Sequence, residues 1–489
     1  MPFQAVWGAM FALLLGPGFG SLRISTLILS GAGLFACYKL LKADGRSEAE
    51  ACLGTLVLWS SPLYLRFSFT FMTDVPFTAL VLLSLWLYAK AWTQMSHRWM
   101  AVAAMAGTAA ILTRQFAVAI IPALLLVGWM RRSAPKTASL AAVAVIPLIL
   151  AAAYQVASGL LAPTWAQQIT LRAQHLMMSN WRELLEQLLW RPGILLQYLC
   201  LFTLPLSLGV IVQLAVDRTP VRHRVSTGFV RLCFIAAAVS GVSLAVGLAT
   251  HKDSILPRIP WNLEGLDSFG ALAPRILTVV TLIAAVPLTA LLAATVRRDF
   301  LAATTPSSAP PIAALIHTTM ICLLPMTLIY NQFGDEYLLV YVPWTIWTIG
   351  RAVSLRGRSA ILCVAGMILL QLAVVVPWVD YIMTYNQVQW EAAQIAVERF
   401  KIPPTKVYAG WTWDCYYAFD DYAARFPAAG QTNFDTLFVQ WLPAMEKQAE
   451  YRVKVGYRTG SSVPGKIDVA RRRTLLGRVM EAKPVRVPE

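Results

Sequence analysis

Ala360-Ile-Leu-Cys-Val-Ala-Gly-Met-Ile-Leu-Leu-Gln-Leu-Ala-Val-Val-Val-Pro-Trp-Val379 contains no charged side chain. A bilayer core of roughly 30 Å takes about 20 such residues as one helix, so this run reads as a membrane span. Its apolar residues are continuous rather than alternating, which argues against a barrel strand. Runs of the same kind occupy the chain upstream. They are Arg23–Leu41, Ala51–Arg66, Pro76–Ala91, Met100–Leu112, Phe116–Met130, Leu140–Val156, Ile194–Val216, Gly228–Ala249, Ile276–Val296, Ile312–Tyr330 and Leu338–Gly350. Composition agrees: 57% of the residues are hydrophobic and 13% charged, with a mean hydropathy of +0.59. Soluble domains carry roughly 25% charged residues, so this chain needs an apolar solvent. The expected fold is an all-α polytopic membrane protein of about 12 transmembrane helices over residues 1–380. Residues 381–489, of low hydropathy and alternating pattern as in Lys406–Trp413, are expected to form a small soluble α/β external domain.

Every second loop is basic. Lys39, Lys42 and Arg46 close the first run, Lys90 and Arg98 the third, and Arg131, Arg132 and Lys136 the fifth. Arg218, Arg222 and Arg224 follow the seventh, Arg297 and Arg298 the ninth, and Arg351, Arg356 and Arg358 the eleventh. By the positive-inside rule these loops are cytoplasmic. The net charge of +16 therefore reads as topology plus a basic tail, and nucleic acid is not an expected partner. The remaining loops, Arg66–Val75, Pro163–Pro192, His251–Arg275 and Asn331–Glu336, then face outward. Six cysteines (Cys37, Cys52, Cys200, Cys233, Cys322 and Cys363) lie in or beside apolar runs as small hydrophobes, and Cys415 lies in the tail, so no disulfide framework is indicated. Met1–Gly16 is apolar without a basic n-region, either a short membrane helix or an interfacial amphipathic one.

Ionisable groups at helix mouths are the place to look for chemistry, because burying them without a partner costs several kcal/mol. Asp74 precedes Pro76 at the start of an apolar run. It reads either as part of an N-terminal cap with Thr73, or as an acid that takes a proton or holds a metal ion. Arg114, followed by Gln115, sits in a tight connection between two runs. It is either a snorkelling anchor or a phosphate clamp, with Arg66 on the same side to strengthen it. Asp335, Glu336 and Tyr337 form an acidic turn that binds substrate or a metal, or is merely solvated. Trp181, Trp190, Trp261, Trp411 and Trp413 lie outside the runs and offer faces that stack on sugars, though interface tryptophans more often anchor.

Several phrases resemble the GT-C membrane glycosyltransferases. They are Phe19-Gly-Ser-Leu22 before Arg23, Phe69-Thr-Phe-Met-Thr-Asp-Val-Pro-Phe77, Ala110-Ile-Leu-Thr-Arg-Gln115, Asp335-Glu-Tyr-Leu-Leu339 and Val407-Tyr-Ala-Gly-Trp-Thr-Trp-Asp414. The nearest branch contains the dolichyl-phosphate-mannose protein mannosyltransferases and the bacterial lipid A aminoarabinose transferases. The resemblance implies transfer of a sugar from a polyprenyl-phosphate carrier to a lipid, glycan or protein on the outer face of a bacterial inner membrane. It matches Asp74 to an acid of the second external loop that in related enzymes helps organise the donor phosphate or a metal, which makes Asp74 the candidate catalytic residue. By the charge argument above, Arg114, with Arg66 and Gln115, is expected toward the donor phosphate. A divalent metal ion is the one candidate cofactor. The family pattern starts with a further helix and a loop bearing a catalytic acid, whereas no acid precedes Arg23; that segment is expected to be missing from the chain, or the protein to be catalytically altered. Where relatives often read Asp-Arg-Tyr, this chain has Asp335-Glu336-Tyr337. A secondary transporter and a non-catalytic lipid-sugar binder are the alternatives. The placement of ionisable groups at helix ends rather than midplane favours the enzyme.

Overall fold

The computed structural model describes residues 2–130, 135–160, 181–216, 288–301, 312–329, 335–353, 355, 357–409, 413, 417, 449, 451–457 and 470–486. The run Gly228–Ala249, the loop His251–Arg275, Arg218, Arg222, Arg224, Trp261, Trp411, Cys233 and Cys415 lie outside the described residues. The chain packs as two compact units. One takes in Met1–Gly159 and Arg182–Leu372; the other takes in Leu160–Trp181 and the chain from Ala373 onward.

The first unit is helical. In order it contains α1 (Pro2–Leu15), α2 (Phe19–Ala43), α3 (Glu48–Ser60), α4 (Pro62–Ser68), α5 (Asp74–Gln94) and α6 (His97–Thr113). A 3₁₀ turn, Gln115–Ala119, leads into α7 (Ile120–Met130), followed by α8 (Pro135–Leu160), α9 (Trp181–Phe202) and α10 (Leu204–Val216). Then come α11 (288–301) and α12 (Ile312–Ile329). A 3₁₀ turn at Asp335–Leu338 precedes α13 (Tyr341–Ala352), and α14 is Arg358–Phe400. Among the described residues, α2, α5 and α14 are long and apolar enough to cross a membrane, and α9 with α10 forms a pair bent by 74° that passes the same test jointly. The coarser part of the expectation, a mostly helical chain with several apolar helices, is met, with several helix ends moved. Ala51–Arg66 is two helices, because Ser61 leaves helical geometry (φ −55, ψ 129) and Pro62 starts α4 at its first turn. Phe116–Met130 likewise begins as 3₁₀ before it becomes α7.

Local chemistry explains the frame. Ser47 and Glu50 make a capping box that starts α3, with Glu50 N–H donating to Ser47 Oγ at 3.2 Å and Ser47 N–H to Glu50 Oε2 at 3.0 Å. α2 and α5 pack closely at Gly33, where a Cβ would lie 2.7 Å from the Ala79 Cβ; a side chain there would push the helices apart. Phe35 meets Trp86 further along the same two helices, so they run parallel. Trp7 Nε1 donates to Ser25 O at 2.9 Å and seats α1 on α2. The outward residues Val6, Leu13 and Leu14 of α1 are apolar and exposed, so this helix has no polar face.

The second unit joins the C-terminal half of α14 to a four-stranded sheet of order β1-β2-β4-β3. The strands are β1 (Val407–Tyr408), β2 (Tyr451–Tyr457), β3 (Ala470–Arg473) and β4 (Val479–Arg486). β1 pairs with β2 in parallel, and the other two pairings are antiparallel. Val388, Ala392 and Ala396, one helical turn apart, bury a stripe with Val407, Val453, Met480 and Ala482. Trp413 belongs to this core: it is 1% exposed and donates to Pro404 O at 3.2 Å. Its ring is thus unavailable for stacking on a sugar.

Candidate functional site

Asp74 is the first residue of α5, and Thr73 is its N-cap. The capping expectation is not met by Thr73, which makes no side-chain cap bond. Its Oγ1 instead accepts a hydrogen bond from Arg114 Nε at 2.8 Å. Arg114 stands between α6 and the 3₁₀ turn in extended geometry (φ −144, ψ 130), which turns its side chain out of the helical line. Its Nη2 lies 2.6 Å from Asp74 Oδ1. The side chains are 9% and 1% exposed, so the pair is buried at the mouth of α5. The negative charge also faces the positive end of the α5 dipole.

Tyr337 closes the other side. The Arg114 guanidinium carbon lies 4.5 Å from the Tyr337 ring centroid. Phe116 holds that ring edge-on, with centroids 5.7 Å apart. A guanidinium clamped between a carboxylate, a hydroxyl and an aromatic face keeps one orientation. Nε and Nη2 are engaged by Thr73 and Asp74, and a guanidinium carries further N–H donors on Nη1. Such an arrangement can present a fixed positive fork to an oxyanion.

Three residues named from the sequence therefore meet: Asp74, Arg114 and Tyr337. Gln115 opens the 3₁₀ turn and is exposed. Arg66 lies in the last turn of α4, half-buried, with its guanidinium 5.2 Å from the Phe67 ring. Asp335 and Glu336 belong to the 3₁₀ turn that carries Tyr337, while their side chains lie outside what is described. Among the described residues, no three His, Cys, Asp or Glu side chains gather as a metal cradle. The Asp74 carboxylate faces a guanidinium instead, so the described donor set does not fit a metal ion there.

The sequence model of the family described as dolichyl-phosphate-mannose-protein mannosyltransferase matches residues 2–189. These residues are thus similar to that family, and the match covers less than half of the chain. The matched part holds α1 to α8 and with them Thr73, Asp74 and Arg114. Neither a curated protein nor a solved structure is similar enough to match.

A second charged cluster was not anticipated from the sequence. Arg351, in the last turn of α13, makes a forked pair with Asp299, Nε to Oδ2 at 2.8 Å and Nη2 to Oδ1 at 3.1 Å. Its Nη1 bonds Asp44, the C-cap of α2. Asp299 Oδ2 also meets His317 Nε2 at 3.1 Å. Trp344 Nε1 donates to His317 Nδ1 at 3.1 Å, which leaves Nδ1 as acceptor and places the imidazole proton on Nε2. Arg46 Nη1 donates to Gly350 O at 2.6 Å. Burial pushes the Asp44 carboxyl above its ordinary range, although Arg351 and Arg46 oppose this. The one sequence signal that points here is a lone ionisable residue, His317, in an apolar helix.

Proposed function

We propose that the chain transfers a sugar from a polyprenyl-phosphate carrier to a lipid, glycan or protein acceptor at the membrane face where α5 begins, taken as the outer or periplasmic side. The observation that carries this is the buried Asp74–Arg114 pair, 2.6 Å apart, inside the stretch matched by the transferase family. In transfer, the bond from the sugar's anomeric carbon to the carrier phosphate breaks, and the acceptor oxygen takes its place. Negative charge grows on the departing phosphate, and the acceptor hydroxyl gives up its proton.

Arg114 meets the first demand. Its orientation is set before substrate arrives, so it stabilises the leaving phosphate with little reorganisation. Asp74 meets the second. When the phosphate takes over part of the Arg114 charge, the Asp74 carboxylate is released from its partner and accepts the acceptor proton. Tyr337 holds the guanidinium in plane. Arg66 and Gln115 extend the donor contacts along the carrier, and Asp335 and Glu336 meet substrate hydroxyls. About twelve spans, with residues 381–489 as a soluble external domain, complete this reading.

The test is incubation of the chain in proteoliposomes with a polyprenyl-phosphate-linked sugar and a membrane extract as acceptor source. Release of polyprenyl phosphate together with sugar on an acceptor supports the proposal. Uptake of sugar into the vesicles with no transfer contradicts it and points to a transporter.

A further inference from the structure

The turn between β3 and β4 reads Thr474-Leu475-Leu476-Gly477-Arg478, and Gly477 closes it at φ 78. A positive φ suits glycine and fixes a tight hairpin. Leu475 and Leu476 at its tip are 64% and 69% exposed. Neither belongs to the core that joins the sheet to α14. Arg471, Arg472 and Arg473 precede them and Arg478 follows, all exposed. Two adjacent leucines presented on a hairpin tip are a poor choice against water, and the basic rim marks the kind of surface they meet.

The tip is also tied to a known level. Leu475 N–H donates to Asp380 Oδ2 at 2.6 Å. Asp380 is the first charged residue after the run Ala360–Val379, within the single helix α14. From Arg358 to Asp380 that helix rises about 33 Å, which matches a hydrocarbon core of roughly 30 Å. No charge lies between the two ends. Leu362, Leu369 and Leu370 are exposed along this stretch, as lipid-facing residues are. Asp380 thus marks where α14 leaves the membrane, and the hairpin tip is bonded to that point.

We propose that Leu475 and Leu476 insert into the interfacial layer of the bilayer, with the arginines beside them facing anionic lipid headgroups. The hairpin is a second membrane contact of the C-terminal unit, besides α14 itself. Arg471 is paired with Glu481 at 2.9 Å and Arg472 with Glu391 at 2.6 Å, which hold β3 against its neighbours. Arg473 adjoins the turn and is the residue placed best for a headgroup phosphate. This inference stands apart from the transferase reading, since it concerns residues outside the family match.

The experiment uses the full chain in nanodiscs, with the photoreactive residue p-benzoylphenylalanine at position 476 or, as a control, at the exposed position Lys454 on β2. After irradiation, lipid adducts are counted by mass spectrometry. Several-fold more adduct at 476 than at 454 is expected, rising with the fraction of anionic lipid and falling with Arg473→Glu. High salt on the unaltered arginines is expected to lower the adduct as well, which covers the case where Arg473→Glu disturbs β3. Equal adduct at the two positions overturns the insertion. Yield at 476 that ignores lipid charge and salt overturns the role of the arginines, and loss of the charge dependence in inorganic phosphate makes the rim a phosphate site rather than a lipid contact.

Discussion

α2 and α5 run side by side with a charged cluster at each end, and the two clusters treat arginine differently. At the start of α5, among the described residues, Arg114 pairs with the Asp74 carboxylate and also meets the Thr73 hydroxyl and the Tyr337 ring. At the end of α2, Arg351 lies between two carboxylates, Asp44 and Asp299, and Asp299 is further held by His317. Gly33 packs on Ala79, which sets the register of the helices. At about 1.5 Å per residue, Asp74 and Asp44 are then separated by about 24 Å along the helix axes. The first cluster keeps donor capacity in reserve for an incoming anion. The second engages all three guanidinium nitrogens of Arg351 internally and ties α2, α11, α12 and α13 together. A buried ion pair is a weak source of stability compared with a well-packed apolar pair, but removing one partner is expensive. Such a closed network therefore reads as a device that specifies helix arrangement, and the open one as a device for binding.

Variants at the two ends should separate chemistry from folding. Asp74→Asn is expected to have the largest effect, a loss of transfer of about a hundredfold or more, since general-base contributions are of that order. Transfer assays on the folded fraction read it. Arg351→Met leaves Asp299 and Asp44 facing each other inside the helices, and a loss of roughly 3 kcal/mol is expected. Its unfolding midpoint in detergent should fall, while transfer per folded molecule is kept. Arg114→Lys keeps the charge but loses the fork, so donor affinity should fall about tenfold, as for one charge-assisted hydrogen bond. Binding of a labelled polyprenyl phosphate measures this, and unchanged affinity would make Arg114 an anchor only.

The smallest effect is expected at Asp44. Burial raises its carboxyl, so the fold disfavours its charge relative to the unfolded chain, and that cost is present at neutral pH. Asp44→Asn removes the cost together with one partner of Arg351, which Asp299 still pairs. A change within about 1 kcal/mol is expected. As pH falls through the raised value, the wild-type carboxyl becomes neutral and the two proteins should converge in unfolding midpoint. A gap that widens on acidification would show that the Asp44 charge is stabilising.

The parts legible in the sequence follow from local properties. Ala360–Val379 needs no partner to be recognised, because length and the absence of charge are properties of the run itself. Asp74 and Arg114 were legible as ionisable groups at helix mouths on one side. Their pairing was not, because it depends on the extended backbone at Arg114 and on how α6 packs against α5. Tyr337 was singled out as a substrate or metal contact, and the structure finds it as the shelf under a guanidinium. The break at Ser61-Pro62 was written in the sequence as proline at a first helical turn, but the apolar character continued across it and hid the break. The Arg351 cluster was harder to see. Asp299 and Asp44 follow basic loops, and each looks like an ordinary loop charge until four helices bring them together.

The most direct test of the division between the two ends is transfer per folded molecule for Asp74→Asn and Arg351→Met side by side, from the same membranes and the same lipid-linked donor. The account requires Asp74→Asn to fold and fail in transfer, and Arg351→Met to fold poorly while its folded fraction transfers normally. Normal transfer by folded Asp74→Asn, or loss of transfer in folded Arg351→Met, would contradict it.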